Sequence, residues 1–255
     1  MKFQSKYRIG KAFLSVTNPA ATKESITDAV KSGLTNYVCV SNVRTVTYAN
    51  KNEDYCKVMN EALMCLPDGM PLVWLARLWG IKTVMRTTGP DLFVDMITDK
   101  QSDLKHFLLG DTEDTLNAMM NKYASGSKTN IVGFYSPPFC DIEQYDYEDI
   151  AKQINESGAN IVWISLRAPK QDFFAVKLLP YLDKKICIGV GAAFRFSLGE
   201  IKHPPIFFRK LGLTGVFWRK MSVKRFLQFV IMFLTVSYWG GRIIIKRLLG
   251  KNYFD

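Results

Sequence analysis

Asp68 stands in the run "LPDGMPLVW" (66–74), between a proline and a glycine and ahead of an apolar stretch. Only two histidines, His106 and His203, occur among the 255 residues, so acid–base chemistry falls mainly to carboxylates. A carboxylate in a loop before a helix predicted over 71–80 can take a proton from a hydroxyl, and Gly69 lets backbone approach a ligand closely. Pro-Asp-Gly is equally a common turn, and spacing alone leaves both readings open. In "MRTTGPDL" (85–92), Arg86 can hold a phosphate or carboxylate through two nitrogens. Gly89-Pro90 then leads into a helix with Asp91 in its first turn, where the helix dipole by itself favours an acid. Gln171 in "RAPKQDFF" (167–174) can donate and accept hydrogen bonds, which suits a sugar or a base; it also fits a solvated first helical turn. Gly189 and Gly191 in "GVGAAF" (189–194) resemble a piece of a dinucleotide fingerprint. They follow the last predicted strand rather than the first, and no acid stands about 20 residues on, so close packing or backbone contact with a ligand explains them better.

These residues need a scaffold. "NYVCV" (36–40), "HFLLG" (106–110), "NIVGFY" (130–135), "NIVWISL" (160–166) and "KICIGV" (185–190) read as strands buried on both faces, as in a parallel sheet. Helices are predicted over 53–65, 111–123, 147–158 and 169–182, the last with Pro169 at its first position. Strand–helix alternation of this kind gives an α/β, Rossmann-like doubly wound and mostly parallel sheet. Ligands bind such sheets beyond the carboxyl ends of the strands. Attention therefore falls on Ser41 and Asn42, Gly110 and Asp111, Arg167 to Gln171, and Gly189 to Ala193.

Composition narrows the chemistry. The five cysteines are scattered with no CxxC pair, which favours reduced thiols over a zinc site or a disulfide framework. No P-loop, GxSxG, HExxH or strict Asp-x-Asp pair occurs, and no signal-peptide core opens the chain. No cofactor or metal is expected.

The chain divides into an α/β core over 1–194 and a basic helical appendage over 195–255. Of the net charge of +11, the appendage carries nearly all: twelve Lys/Arg stand there against two acids. An anionic membrane, a phosphate-bearing ligand or nucleic acid would suit it. Its uncharged stretch, Phe226 to Gly241, is 16 residues long. As a helix it spans about 24 Å, short of a hydrocarbon core of about 30 Å. Flanking cations, Trp239 and Tyr238 favour a helix lying in the membrane interface; a helix packed on the core is the competing expectation. The apolar run is too long for a nucleic-acid stacking platform, so nucleic acid is set aside.

Six segments come in the order and spacing of one bacterial group: "VSNVRTV" (40–46), "LPDGMPLVWLARLWG" (66–80), "RTTGPDL" (86–92), "APKQDFF" (168–174), "GVGAAFRF" (189–196) and "RKLGLTGVFWRK" (209–220). Each alone is weak; together they make the chain, from about residue 8 to about 225, resemble the WecG/TagA/CpsF glycosyltransferases. The resemblance implies metal-independent, inverting transfer of a sugar from a nucleotide donor, UDP-linked, to an undecaprenyl-diphosphate-linked saccharide in cell-surface polysaccharide synthesis. It implies a peripheral enzyme on the cytoplasmic face of the bacterial plasma membrane, and leaves a homo-oligomer open. Asp68 inherits the family's proposed general base. Asn42 and Gln171 match family binding residues, and Arg219, Lys224 and Arg225 match basic residues that close over the site and contact diphosphate or lipid. The remaining substrate contacts expected are Ser41, Gly69, Arg86, Gly89, Asp91, Gly110, Gly189 and Gly191. The chain departs from the family pattern at Val40, where Thr is common, with Ser41 beside it. It departs again at Arg195, where an acid is usual, and at Gln228 and Phe229, where basic residues are frequent. The competing class is a non-catalytic, membrane-associated protein that binds a nucleotide sugar or lipid.

Overall fold

Six short apolar runs pair side by side, all pointing the same way. They are β3 (Asn36–Ser41), β4 (Met64–Pro67), β5 (His106–Gly110), β6 (Ile131–Tyr135), β7 (Ile161–Ser165) and β8 (Ile186–Gly189). They lie in the order β4-β3-β8-β7-β5-β6, every pairing parallel. This computed structural model describes residues 5–99, 101–124, 130–202, 205 and 223–252; of residues 124 and 223–229 only the backbone is described. A small antiparallel hairpin, β1 (Lys6–Ile9) and β2 (Ala12–Ser15), precedes the sheet.

Both faces of the sheet are covered, which is why its strands carry no polar alternation. In β7, Val162 and Ile164 face one layer while Ile161 and Trp163 face the other. The first layer holds the hairpin, α2 (Val43–Ala49), α3 (Glu53–Glu61), α4 (Met70–Leu78), α7 (Tyr147–Glu156) and α8 (Lys170–Leu178). The second holds α1 (Pro19–Lys31), α5 (Gly89–Ile97), α6 (Glu113–Ala124) and α9 (Ala193–Leu198). Phe93 of α5 fixes that layer, meeting Trp163 edge-on at 5.2 Å and Phe194 of α9 at 5.2 Å.

The predicted strands are present with ends moved by a residue or two. The helix expected over 53–65 is shorter. It stops at Glu61, Ala62 turns extended, and Met64–Pro67 becomes the edge strand β4. Four consecutive buried residues there pair with Val38–Ser41, a gain that outweighs continuing an amphipathic helix. Pro169 takes the N-cap rather than the first helical position of α8.

The last helix, α10 (Val223–Leu248), lies on the first layer against α4 and α2. Trp239 and Ile243 are buried there, with Met232 and Val236 beside them. Gly240 lets the helices meet: a Cβ at that position would stand 3.2 Å from Leu78. Arg247 donates to the Leu78 carbonyl at 2.6 Å, capping the end of α4. The opposite side stays apolar and open, with Ile231, Phe233, Leu234, Tyr238, Ile245 and Leu248 exposed. The helix thus packs on the core and still presents an apolar face that the described residues leave uncovered. Among the described residues no helix is long and apolar enough to cross a membrane.

Candidate active site

The parallel sheet brings every strand's carboxyl end to one edge. From β4 to β5 the edge reads Asp68, Ser41 with Asn42, Gly189 to Gly191, Ser165 to Ala168, and Gly110 with Asp111. At about 4.8 Å per strand, Asp68 and Asp111 stand roughly 19 Å apart, with the Gly191 turn about midway. The chain leaves β7 toward β8 but leaves β5 toward β6, so connections diverge between β7 and β5, where open α/β sheets form their ligand crevice.

Asp68 follows β4 directly. Its backbone N–H donates to the Ser41 carbonyl at 2.7 Å, tying it to the neighbouring strand. Thr87 N–H donates to the Pro67 carbonyl at 3.1 Å, which lays the 85–88 segment alongside. Arg86 is thereby brought to Asp68, with Nη2 3.4 Å from Oδ1. The Asp68 side chain keeps 27% of its surface in solvent and Arg86 keeps 23%, so neither is sealed away. Burial by the packed loops pushes the Asp68 carboxyl above the ordinary carboxylate range; the Arg86 charge opposes the rise and the Asp91 charge adds to it. A carboxylate tuned upward, open to solvent and beside a cation can take a proton from a hydroxyl.

Thr88 caps α5, its Oγ1 accepting from Asp91 N–H at 3.1 Å, and Asp91 itself is exposed. Gly89 packs directly on β8's exit: a Cβ there would lie 2.9 Å from the Val190 carbonyl oxygen. At that exit Gly191 donates its N–H to Gln171 Oε1 at 2.9 Å and accepts from Ser165 Oγ at 2.6 Å. Gly189 is required by close approach, since a Cβ would fall 2.6 Å from Gln171 Nε2. Gly110, at φ 101, is required twice over: an L side chain is strained there, and its Cβ would meet the Ser165 carbonyl at 2.7 Å.

Several expected contacts turn their polar atoms inward. Ser41 is fully buried, its hydroxyl 3.1 Å from the Cys65 thiol. Asn42 caps α2, its Oδ1 accepting from Arg44 N–H at 3.0 Å and Thr45 N–H at 3.2 Å, although the residue is exposed. Gln171 is buried against the glycine turn. Arg219 lies outside the described residues, and the side chains of Lys224 and Arg225 do too. Asp68, Arg86 and Asp91 form one group, and Gly89, Gly189, Gly191 and Gln171 another, with Gly110 further along the edge.

Three pairings along this edge are not legible in the sequence. Asp111, in the left-handed region at φ 63, receives Arg195 through two nitrogens, Nε at 3.0 Å and Nη2 at 2.6 Å. Arg44 reaches over the exit of β8 to donate to the Ala168 carbonyl at 2.9 Å. Asp172, next to Gln171, is buried with Tyr55, whose hydroxyl donates to Oδ2 at 2.6 Å. The run "VSNVRTV" contained Arg44 and "PKQD" contained Asp172, but no spacing pattern links either to its partner. A separate surface cavity of about 480 Å³ beside the start of α8 is lined by Asp141, Glu143, Lys170 and Phe173 and does not include Asp68. Among the described residues, no three His, Cys, Asp or Glu side chains gather as a metal site.

Three relatives share much of this chain. A protein of Bacillus subtilis (strain 168), N-acetylglucosaminyldiphosphoundecaprenol N-acetyl-beta-D-mannosaminyltransferase, is 27% identical over 68% of this chain and 70% of its own. Proteins of the same name from Bacillus spizizenii and Staphylococcus aureus (strain MW2) are 24% and 23% identical, over 76% and 74% of this chain and 78% and 73% of their own. The sequence profile of one glycosyltransferase family matches residues 8–242, nearly the whole chain. With its parallel sheet and the acid at its carboxyl edge, the chain belongs to the glycosyl transferase WecG/TagA/CpsF family.

Proposed function

We propose that this glycosyltransferase moves a sugar from a UDP-linked donor to an undecaprenyl-diphosphate-linked saccharide, inverting the anomeric configuration, with Asp68 as general base. The observation that carries the reading is Asp68 itself: a carboxyl group at the sheet's carboxyl edge, partly open, raised above the ordinary carboxylate range by burial and held beside Arg86. The names of the three relatives supply the acceptor class.

In the reaction, Asp68 takes the proton of the acceptor hydroxyl as its oxygen attacks the anomeric carbon from the face opposite the diphosphate. The new C–O bond forms, the bond from the anomeric carbon to the phosphate oxygen breaks, and the nucleotide diphosphate leaves with the electron pair. Base assistance of this kind is worth about 100- to 10,000-fold. Arg86 is the cation assigned to receive the diphosphate charge, with the 189–191 turn as a wall beside it, since the Val190 and Gly191 N–H groups already donate to the Ile164 carbonyl and to Gln171 Oε1. Arg219, Lys224 and Arg225 are assigned by resemblance to close over it. The exposed apolar side of α10, flanked by Arg242 and Lys246, rests in an anionic membrane surface on the cytoplasmic side and brings the enzyme to its acceptor.

The test is a transfer assay with purified enzyme. A panel of UDP-sugars is paired with a short-chain prenyl-diphosphate N-acetylglucosamine acceptor, with and without chelator. Acceptor-dependent product with inverted linkage and an undiminished rate in chelator is expected. Sugar release without acceptor would make the protein a hydrolase instead, and tight donor binding without product would make it a binding protein.

A further inference from the structure

Behind the Gly191 turn lies a carboxyl group that the mechanism above does not use. Asp172 is 2% exposed, in the first turn of α8. Its Oδ2 accepts from Tyr55 of α3, while its Oδ1 has no hydrogen-bond partner among the described residues. A buried carboxyl oxygen left without a partner is costly and needs a reason. The titratable groups around it are Tyr55 from α3, Tyr37 and Cys39 from β3, and Cys65 from β4. On its own helix, Gln171 is its neighbour in sequence, and the Gln171 amide lies beside it against Gly189.

The missing Cβ of Gly189 makes room for both side chains. A methyl group there would lie 2.6 Å from Gln171 Nε2 and 2.9 Å from Asp172 Oδ1, so these atoms share one niche against β8. The other end of the Gln171 amide, Oε1, accepts from Gly191 N–H. Gly191 itself faces open space: none of the described residues stands within 4 Å of where its Cβ would be.

We propose that Asp172 is a positioning residue, whose charge beside the Gln171 amide keeps Nε2 on its own side and Oε1 on Gly191 N–H, and so presets the turn against which the donor diphosphate sits. The proposal rests on the glycosyltransfer reading only for the identity of that ligand. An ionised carboxylate only accepts hydrogen bonds, so it selects the amide orientation seen here. A protonated one can donate to Oε1 and admit the reversed amide, in which Nε2 and Gly191 N–H would meet donor to donor. Burial, opposed by the Tyr55, Cys39 and Gln171 side chains, raises the Asp172 carboxyl to about 7, which places this choice near neutral pH.

The experiment uses the full chain labelled with 15N-glycine, the Gly191 resonance being identified by its loss in Gly191→Ala. From pH 5.5 to 8.5 the wild-type Gly191 amide should shift with a midpoint near neutral. In Asp172→Asn, which cannot ionise, the shift should vanish. Tyr55→Phe removes a hydrogen bond to the ionised form, so its midpoint should move to higher pH; this milder variant serves if Asp172→Asn fails to fold. Calorimetry with UDP-N-acetylglucosamine, whose diphosphate diester does not titrate in this range, should show wild-type binding weakened roughly fivefold from pH 8 to pH 6, the worth of one hydrogen bond. Asp172→Asn should bind with one affinity at both. A Gly191 amide that ignores pH, or that titrates unchanged in Asp172→Asn, overturns the proposal, as does pH-independent nucleotide binding by the wild type. A Gly191 amide that titrates as stated in a protein that binds no nucleotide sugar upholds the positioning and overturns the glycosyltransfer reading alone.

Discussion

Arg86 Nη2 lies 3.4 Å from Asp68 Oδ1, at the reach of an ion pair rather than in a tight fork, with both side chains partly in solvent. The contact opposes the burial that raises the Asp68 carboxyl, and at this length it engages Oδ1 loosely. Asp68→Asn should lower kcat by about 100- to 10,000-fold while nucleotide-sugar affinity changes little. Steady-state kinetics beside calorimetry checks both. Near-normal turnover by the Asp68→Asn enzyme would remove the base from this position.

Arg86→Ala should act through pH. Arg86 opposes the upward shift of Asp68, so its loss raises that carboxyl further. The acid limb of the kcat–pH profile, which falls as Asp68 is protonated, should therefore move to higher pH. Arg86→Lys should move it less. An unmoved limb would mean that another group sets it.

Two sides of α10 should answer differently to substitution. Phe233→Asp with Leu234→Asp alters only the exposed face. Thermal stability should stay within about 0.5 kcal/mol per site, while flotation with anionic vesicles and transfer to a vesicle-borne acceptor should both fall. Trp239→Ala empties a buried site against α4 and should cost about 3–5 kcal/mol. Equal vesicle binding by the double variant would place the membrane contact elsewhere.

Two buried titrating groups should tilt stability in opposite directions with pH. His106, which accepts from Trp163 Nε1–H at 3.1 Å, is held neutral by burial and its pKa falls to about 4. Between that value and the unfolded value of about 6.5 only the unfolded chain binds this proton, so the contribution is full above the window and lost as pH falls through it. Asp172 works in reverse. Raised to about 7, it keeps its proton in the fold where the unfolded chain has lost it, so stability drops as pH rises from about 4 to about 7. Asp172→Asn should make urea midpoints climb more steeply with pH over about 4 to 6.5, and His106→Gln should tilt them the other way. Parallel curves for all three proteins would refute the assignment.

Arg195→Asp restores the acid usual in the family pattern but sets a second carboxylate against Asp111, whose side chain is only 7% exposed. Leaving that charge uncompensated should destabilise the protein by about 1–3 kcal/mol. Adding Asp111→Asn should recover part of the loss, read as a coupling in thermal melts.

Local patterns carried far in this sequence, and failed where partners lie far apart along the chain. The strands β3, β5, β6, β7 and β8 were legible because each is an apolar run covered on both faces. The edge strand β4 was not, since "LMCLP" continues the apolar spacing of α3 and only pairing with β3 makes it extended. The four-residue strands of the hairpin are too short to carry a period. Asp68 was legible as a carboxylate in a loop, and Arg86 from its neighbourhood. Their contact was not, because the hydrogen bond from Thr87 to Pro67 that creates it spans the whole of α4. Tyr55 and Asp172 are separated by 117 residues, so nothing in either segment announces the other. Gln171 stands out in the sequence for its hydrogen-bonding capacity and Ser41 for its place at the end of β3, and the fold uses their polar atoms on Gly191 and Cys65.

α4 is fastened at both ends. It starts immediately after Asp68 and Gly69, and Arg247 of α10 grips its last carbonyl at Leu78. Its nine residues span about 13 Å. If the outer side of α10 settles among lipid headgroups, this short rod becomes a spacer that fixes the height of the proton acceptor above the bilayer. The distance from the anchored pyrophosphate to the reacting hydroxyl would then be gauged mechanically, and lengthening or shortening the rod by one turn should change which size of lipid-linked glycan is extended.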